Sequence, residues 1–431
     1  MDSILKAREE RASRIDSWVN QYKNSSILVL KLNTVGREKN IARMQFILQF
    51  FHHQLLQLFT HQIVAYDFKK SMDGDYFIYA VNVKGRLMKE RTIVLEDHNI
   101  LGRLVDMDVY DHGAISRTDM ECELRKCLIC DDYAHICARS MRHKEEEIHE
   151  KINGIIDQFL LQHLTTEVVK AIYQELDLYP KFGLVSSHDA GCHKDMTYET
   201  FVKSTFALKP YVQEFIKVGL KGADNPKELQ AIGQRAEKAM FEATSGTNTH
   251  KGLIFLLGVF LDALVNTILA NEDPTYLQDR IKKTSRDIIG DYYKTVQDKE
   301  ILSHGDQIYL AYGLKGIRGE ALEGLPLIFK IPSLKEVHGN NRLHEYLLRL
   351  MADLEDTTII HKTNYQTLIE VQQDMKSIIK SGGFSKNMET IHRLSEEYKE
   401  RLISPGGSAD LLVIKLIYED MKLFLRDMKK E

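Results

Sequence analysis

Two polar stretches hold more histidine, lysine and small residues than a helical core requires. The first is Lys181-Phe182-Gly183-Leu184-Val185-Ser186-Ser187-His188-Asp189-Ala190-Gly191-Cys192-His193-Lys194-Asp195-Met196. The second, Gly246-Thr247-Asn248-Thr249-His250-Lys251-Gly252, runs straight into the apolar segment Leu253–Leu261. A Gly/Thr/Asn-rich turn that opens a helix presents free backbone N–H groups and a positive dipole end, which suits phosphate. The plainer alternative is a capped helix start with Thr or Asn as the cap. Two such stretches in one chain, with more polar motifs downstream, favour phosphate handling.

A second chemistry stands earlier, in Gly102-Arg103-Leu104-Val105-Asp106-Met107-Asp108-Val109. On a strand, residues i and i+2 share a face. Asp106 and Asp108 would therefore stand side by side, with Val105, Met107 and Val109 on the opposite face. Adjacent carboxylates repel unless a cation lies between them, and Mg²⁺ bridging to substrate phosphate is the usual occupant. The alternative is an edge strand with a wet face. Close by, Arg125-Lys126-Cys127-Leu128-Ile129-Cys130 is followed by Cys137, Arg139 and His143. Cys-x2-Cys is zinc-like spacing, and Cys137 and His143 could complete four ligands. A reduced, partly buried set of thiols is the competing reading, because the Cys130–Cys137 interval is not a standard finger spacing.

Three further motifs follow: Tyr312-Gly313-Leu314-Lys315-Gly316-Ile317-Arg318-Gly319-Glu320, Leu350–Thr358 with Asp353, Glu355 and Asp356, and Ser404-Pro405-Gly406-Gly407-Ser408-Ala409-Asp410-Leu411-Leu412. In order and wording, the five motifs between Thr166 and Leu416 resemble triphosphoribosyl-dephospho-CoA synthase, which builds the prosthetic-group precursor of citrate lyase. One departure is Thr197, where that family usually carries an acidic residue two after Asp195. The first half resembles apo-citrate lyase phosphoribosyl-dephospho-CoA transferase. That likeness rests on Arg8–Arg14, Asn33-Thr34-Val35-Gly36-Arg37-Glu38-Lys39, Gly102–Asp108, Ser116-Arg117 and Cys127–His143. The presumed product of the second half is the presumed substrate of the first.

The resemblance implies a fused bifunctional transferase. Its second half would join ATP to 3′-dephospho-CoA with loss of adenine. Its first half would pass the phosphoribosyl-dephospho-CoA group to a serine of the citrate lyase acyl-carrier subunit with loss of pyrophosphate. Mg²⁺ is implied in both, and a structural Zn²⁺ is the reading of the cysteine cluster. In the first half, Asp106 and Asp108 would hold Mg²⁺ at the scissile phosphoanhydride. Arg8, Arg11 and Arg14 recur every three residues and could share a helix face toward phosphates, or form a solvated basic face. Arg37 and Lys39 sit in a plausible anion loop. In the second half, His188, His193 and Lys194, with Asn248, Thr249 and Lys251, suit phosphate. Arg318 lies between glycines and could approach a phosphate closely. Asp356, Ser408 and Asp410 complete the substrate-binding set, with a simple helix N-cap as the alternative for Asp410. Asp195, His250 and Glu320 are the catalytic candidates, together with Asp106 and Asp108.

The elements that must position these groups differ between the halves. Up to about residue 140 the pattern alternates. Ser26–Leu32, Gln62–Phe68, Asp75–Val83, Arg91–Leu95 and Arg103–Tyr110 read as strands, Asp73-Gly74 as a hairpin turn, and Asn40–Phe59 as an amphipathic helix. This is an α+β layout with a mixed or antiparallel sheet. After Arg142 a Glu-rich stretch leads into helical spacing throughout, over Tyr198–Leu208, Pro226–Ala243, Leu253–Ala270, Thr275–Thr295, Arg342–Leu354, Tyr365–Ile379, Lys386–Ile403 and Ala409–Asp427. The expected division is a transferase domain over residues 1–150 and an all-α synthase domain over 151–431.

Bulk properties bound the reading. The 431 residues give room for more than one core. A net charge of −4, from 58 basic and 62 acidic residues, argues against a nucleic-acid binder. Gly252–Ala270 mimics a membrane span, but Asp262 and Asn266 interrupt it, so a buried central helix and no membrane are expected. Met1–Lys6 lacks an apolar signal core, and five cysteines, four of them clustered, do not resemble a secreted scaffold. The expected location is the cytoplasm. Two rival functions remain at this stage: an N-glycoside or ADP-ribose hydrolase fused to a nucleotidyltransferase, and a non-catalytic nucleotide-binding module that docks on an acyl-carrier protein.

Overall fold

The computed structural model describes residues 2–222, 225–334 and 340–426. Two compact units emerge, one built from Met1–Leu160 with Ile268–Asn271 and Leu423–Glu431, the other from Leu161–Thr267 and Glu272–Lys422.

The first unit is α+β. Its strands are β1 Ser26–Leu32, β2 Ile63–Lys69, β3 Tyr76–Val81, β4 Val105–Tyr110 and β5 Ala114–Ile115. They form one sheet in the order β2-β3-β1-β4-β5, antiparallel at every pairing. β1 is central and almost wholly buried, as its apolar run requires. Its helices are α1 Asp2–Gln21, α2 Ala42–Leu58, α3 Gly85–Asp97, α4 Ala134–Ser140 and the start of α5 Glu145–Leu176. α1 sets Ile15 and Trp18 onto Ile27, Val29, Tyr76, Ile78 and Ala80. The segment Arg91–Leu95, expected as a strand, lies inside α3. Met88, Lys89, Thr92, Ile93 and Glu96 are buried there at helical spacing, so a face period of about 3.6 overrides the β-branched pair Thr92-Ile93. The Glu-rich stretch after Arg142 becomes the opening turns of α5, with Glu145, Glu146 and Glu147 at its positive end.

The second unit is helical. After α5 come α6 Tyr198–Lys221, α7 Pro226–Ala243, α8 Lys251–Leu269, α9 Pro274–Ile289, α10 Tyr292–Thr295 and α11 His304–Tyr312. Then follow α12 Gly316–Leu322, α13 Pro326–Lys330, α14 Asn340–Asp353, α15 Thr357–Lys362, α16 Tyr365–Lys380, α17 Met388–Glu400 and α18 Gly406–Met421. α6 continues past the expected stop at Leu208 and through Pro210, because Val212, Phe215, Ile216 and Val218 carry its buried face onward. The single helix expected over Thr275–Thr295 is broken at Gly290, whose φ of +50° ends α9. Asp427, the expected end of the last helix, lies outside the described residues. α8 is long and apolar enough to cross a membrane, yet 78% of its apolar window is buried inside the fold. It is the core helix of this unit.

Candidate active sites

In the first unit the site is assembled on one face of the sheet. Strand register sets Lys31 opposite Asp106 and Val29 opposite Asp108. Directly opposed residues share a face, so both carboxylates lie on the side that α1 partly covers. Val105, Met107 and Val109 are buried on the other side. Arg125 Nη1 donates to Asp106 at 2.9 Å, and Lys31 Nζ stands 3.5 Å from the other Asp106 oxygen. Burial and the adjacent Asp106 charge push the Asp108 carboxyl above its usual value. A hard oxygen pair of this kind, in which two like charges face one another, fits a hard cation such as Mg²⁺. Glu96, buried at the back of the strand, pairs with Arg125 at 2.7 Å and Arg117 at 2.9 Å and accepts the Met107 N–H at 3.1 Å.

The arginine trio does share one face of α1, but carboxylates already occupy it. Arg8 reaches Asp73 at 2.8 Å, Arg11 also binds Asp73, and Arg14 binds Asp67. Asp73 lies in the β2–β3 turn, where hydrogen bonds from Arg8 and Arg11 overcome burial and hold its carboxyl below its usual value. The trio thus anchors α1 to the hairpin, with Arg8 still half exposed to solvent. Lys39 closes its own loop by donating to the Thr34 carbonyl at 3.0 Å, while Arg37 is exposed.

The cysteine cluster converges. One ligand atom each from Cys127, Cys130, Cys137 and His143 lie within 4.8 Å of one another. Cys130 Sγ is 3.5 Å from Cys137 Sγ and 3.3 Å from His143 Nε2.

In the second unit a cavity of about 980 Å³ opens at the N-terminus of α8. Of the expected residues, His193, Asp195, Asn248, Thr249, His250, Lys251, Arg318 and Asp410 line it. His250 is buried, its Nδ1 2.7 Å from Ser204 Oγ, and burial with Lys181 nearby pushes it down to about 3. His193 is pushed down to about 4 by burial and by Lys362. Both imidazoles are therefore neutral at pH 7 and serve as hydrogen-bonding groups rather than cations. Asn248 Oδ1 accepts the Lys251 N–H at 3.2 Å, which is cap geometry, and Lys251 itself pairs with Glu237 at 3.0 Å. Asp410 is no cap: α18 begins four residues earlier, at Gly406. Its carboxylate reaches the cavity wall beside Gly252, where a side chain of any other residue would meet Asp410 Oδ2 at 2.2 Å. Burial first, then the charges of Glu175 and Asp356, push the Asp410 carboxyl well above its usual value.

Five expected residues do not line the cavity. Exposed His188 stacks on Tyr179 at 4.3 Å, and Lys194 is exposed. Glu320 turns to the Leu327 N–H at 3.2 Å. Asp356 and Ser408 meet each other instead. The Asp356 carboxylate accepts Ser408 N–H at 2.8 Å, Ser408 Oγ–H at 3.0 Å, Gly407 N–H at 3.3 Å and Thr358 N–H at 3.0 Å. Asp356 thereby clamps the N-termini of α15 and α18, and its contribution is to the shape of the cavity. Asp356→Ala is expected to lower unfolding free energy by about 3 kcal/mol, since buried N–H groups lose their acceptor. Denaturant titration measures it. Thr197 opens α6, its N–H donating to Thr200 Oγ1 at 3.2 Å.

The sequence reading missed several cavity residues. Lys315 belonged to a quoted motif and sits over the Tyr293 ring at 5.1 Å, beside Arg318 over Tyr292 at 4.7 Å. Lys362 lies 3.0 Å from His193 Nδ1, and His361 stacks on His304 at 3.4 Å. Glu175, in the last turn of α5, pairs with buried Lys181 at 2.7 Å, and nothing in its local sequence announces it.

Comparison with known proteins matches two families in succession along the chain. Residues 161–426 match the family described as ATP:dephospho-CoA triphosphoribosyl transferase. Residues 1–159 match apo-citrate lyase phosphoribosyl-dephospho-CoA transferase. Protein CitXG of Haemophilus influenzae is 31% identical over 444 residues, covering 97% of this chain and 95% of that protein. Protein CitXG of Leuconostoc mesenteroides subsp. cremoris is 30% identical, over 96% of this chain and 95% of its own. The 2-(5''-triphosphoribosyl)-3'-dephosphocoenzyme-A synthase of Haemophilus ducreyi is 32% identical over 320 residues, 67% of this chain and 98% of that protein.

Proposed function

The chain belongs to the fused family that joins an apo-citrate lyase phosphoribosyl-dephospho-CoA transferase to an ATP:dephospho-CoA triphosphoribosyl transferase, and from that premise we infer where each reaction runs. It is a bifunctional transferase in citrate lyase maturation. It makes 2′-(5″-triphosphoribosyl)-3′-dephospho-CoA from ATP and 3′-dephospho-CoA with release of adenine. It then transfers the phosphoribosyl-dephospho-CoA group to a serine of the acyl-carrier subunit with release of pyrophosphate.

The synthase reaction belongs to residues 151–431 and the cavity at the start of α8. A ribose 2′-hydroxyl must lose a proton as its oxygen bonds the anomeric carbon of ATP and the bond to adenine breaks. Asp410 takes that proton. It lines the cavity beside Gly252 at the start of α8, and its raised basicity suits the task. Arg318, Lys315 and Lys362 receive the triphosphate. Neutral His193 and His250 orient substrate by hydrogen bonds, and Asp195 lies at the exposed rim, 3.9 Å from His193. The observation that carries this reading is the convergence of Asp410, Arg318 and the α8 N-terminus on one cavity of about 980 Å³.

The transferase reaction belongs to residues 1–150 and the sheet face around Asp106. Asp106 and Asp108 would hold Mg²⁺, which when bound neutralises charge on the phosphoanhydride. Lys31 and Arg125 place fixed positive charge beside the same face and stabilise departing pyrophosphate. The Cys127–His143 cluster holds a structural Zn²⁺.

Incubating the protein with ATP, Mg²⁺ and 3′-dephospho-CoA should yield adenine and the coupled product by mass analysis. Adding apo acyl-carrier subunit should then consume that product and modify the carrier. Loss of adenine from ATP without any CoA acceptor would instead identify a hydrolase.

A further inference from the structure

The cysteine cluster is wired to the transferase face through Arg125, and the wiring is continuous in backbone and side chains. Arg125 stands two residues before Cys127. Its carbonyl accepts the Ala134 N–H at 2.9 Å. Lys126 bridges to Tyr133 in antiparallel fashion, and the Cys127 N–H donates to the Asp132 carbonyl at 2.7 Å. Residues 125–134 thus form a tight ribbon whose turn carries Cys127 and Cys130. Within that turn the Ile129 N–H points at Cys127 Sγ, 3.5 Å away. A backbone N–H aimed at a cysteine sulfur two residues earlier is how a ligand loop stabilises thiolate bound to metal. Arg142 ties the far end back by donating to Asp132 at 2.8 Å, just before His143, and Arg103 donates to the Lys126 carbonyl.

At the near end of the ribbon the Arg125 guanidinium spans Asp106, Glu96 and the Val105 carbonyl. The chain around it, residues 116–133, contains only a three-residue 3-10 turn and that single bridge. Arg117 pins the start of this segment to Glu96 at 2.9 Å and Asp97 at 2.6 Å, which leaves the cysteine side of Arg125 to the ribbon and its ligand loop. A four-coordinate metal would cross-link Cys127 and Cys130 to Cys137 on α4 and to His143, and so set the ribbon's position.

We propose that the metal at Cys127, Cys130, Cys137 and His143 is a brace that positions Arg125 against Asp106, so that metal loading governs phosphoribosyl transfer and leaves triphosphoribosyl synthesis untouched. The proposal rests on the zinc and Asp106 assignments made above. It makes the metal cluster the positioning element for Arg125 and a control point for one of the two reactions.

The test uses the full chain, purified without added metal, with four readouts: zinc per chain, the absorption of a Co²⁺-substituted form, adenine release, and labelling of the apo carrier. About one zinc per chain is expected, and Co²⁺ should give the intense bands of tetrahedral thiolate ligation. Cys137→Ser should lose the metal and slow carrier labelling by roughly 10- to 100-fold, with adenine release unchanged. Arg125→Ala should keep the metal yet slow labelling to a similar degree, and Arg125→Lys should recover part of it. The double variant should be no worse than the slower single, as groups acting in series predict. Chelation followed by zinc return should remove and restore labelling in the unmodified chain, which separates the metal's role from misfolding of a variant. A metal-free preparation that labels at full rate, or a Cys130–Cys137 disulfide in its place, overturns the zinc assignment itself. A zinc-loaded protein that labels normally after chelation leaves the assignment standing and overturns the brace.

Discussion

Asp106→Asn should stop labelling of the acyl-carrier serine while adenine release goes on. The substitution removes one of two carboxylates on the half-buried face of β4. It also leaves Arg125 and Lys31, now 2.9 and 3.5 Å from Asp106 oxygens, facing a neutral amide. The site would lose negative charge where a cation must bind, and keep both positive charges, with Arg125 still held by Glu96. A drop on the order of a thousandfold, about 4 kcal/mol of barrier, is the expected scale for losing a direct metal ligand in metal-assisted phosphoryl chemistry. The cavity of the second unit contains none of these residues, so 2′-(5″-triphosphoribosyl)-3′-dephospho-CoA should accumulate. Quantifying adenine, the soluble intermediate and modified carrier in one reaction decides it. Labelling near the wild-type rate would make Asp106 an ordinary wet-face residue. Loss of both activities in a folded protein would mean that the two reactions share one centre.

The parts of this molecule legible in the sequence are those governed by local periodicity. The alternation of Val105 to Val109 placed both aspartates on one face, and β4 bears this out. The spacing in Pro226–Ala243 matches α7 residue for residue. Failures occurred where distant contacts decide. Thr92-Ile93 has β-branched character, but burial of Met88, Lys89 and Glu96 on one helical face makes α3. Asp356 and Ser408 looked like two polar groups from separate motifs, and in fact satisfy each other. No local signal reveals such a pair, because its members are 52 positions apart. Glu175 was invisible for the same reason. It is one of several acids in α5, and only the fold brings it near Asp410. Lys31, by contrast, could have been found: a lysine inside the apolar run Ser26–Leu32 needs a partner, and Asp106 is that partner.

Asp410→Asn provides the complementary result, with a signature that a merely structural residue would not give. If Asp410 accepts the ribose 2′-hydroxyl proton, the amide cannot replace it, and synthesis should fall by roughly 10²- to 10⁴-fold, the usual worth of a general base. Carrier labelling from supplied triphosphoribosyl-dephospho-CoA should persist. The pH dependence follows from the direction of its shift. A base works only when ionised, and this carboxyl holds its proton to a higher pH than an ordinary one. The wild-type rate should therefore climb with pH through a limb above the usual carboxylate range, and the residual rate of the variant should lack that limb. Stability runs the opposite way. A carboxyl whose folded pKa is raised favours folding while protonated, and that stability is lost as pH rises from the unfolded value, about 3.9, through the folded one. At neutral pH the wild-type fold bears the cost of a carboxyl buried beside Glu175 and Asp356, and asparagine does not. The variant should be inert in synthesis yet melt at a higher temperature than the wild type at pH 7, with the gap closing as pH falls. A variant that is inactive and also less stable at neutral pH would place Asp410 among the groups that build the cavity, and pass the role of base to Asp195.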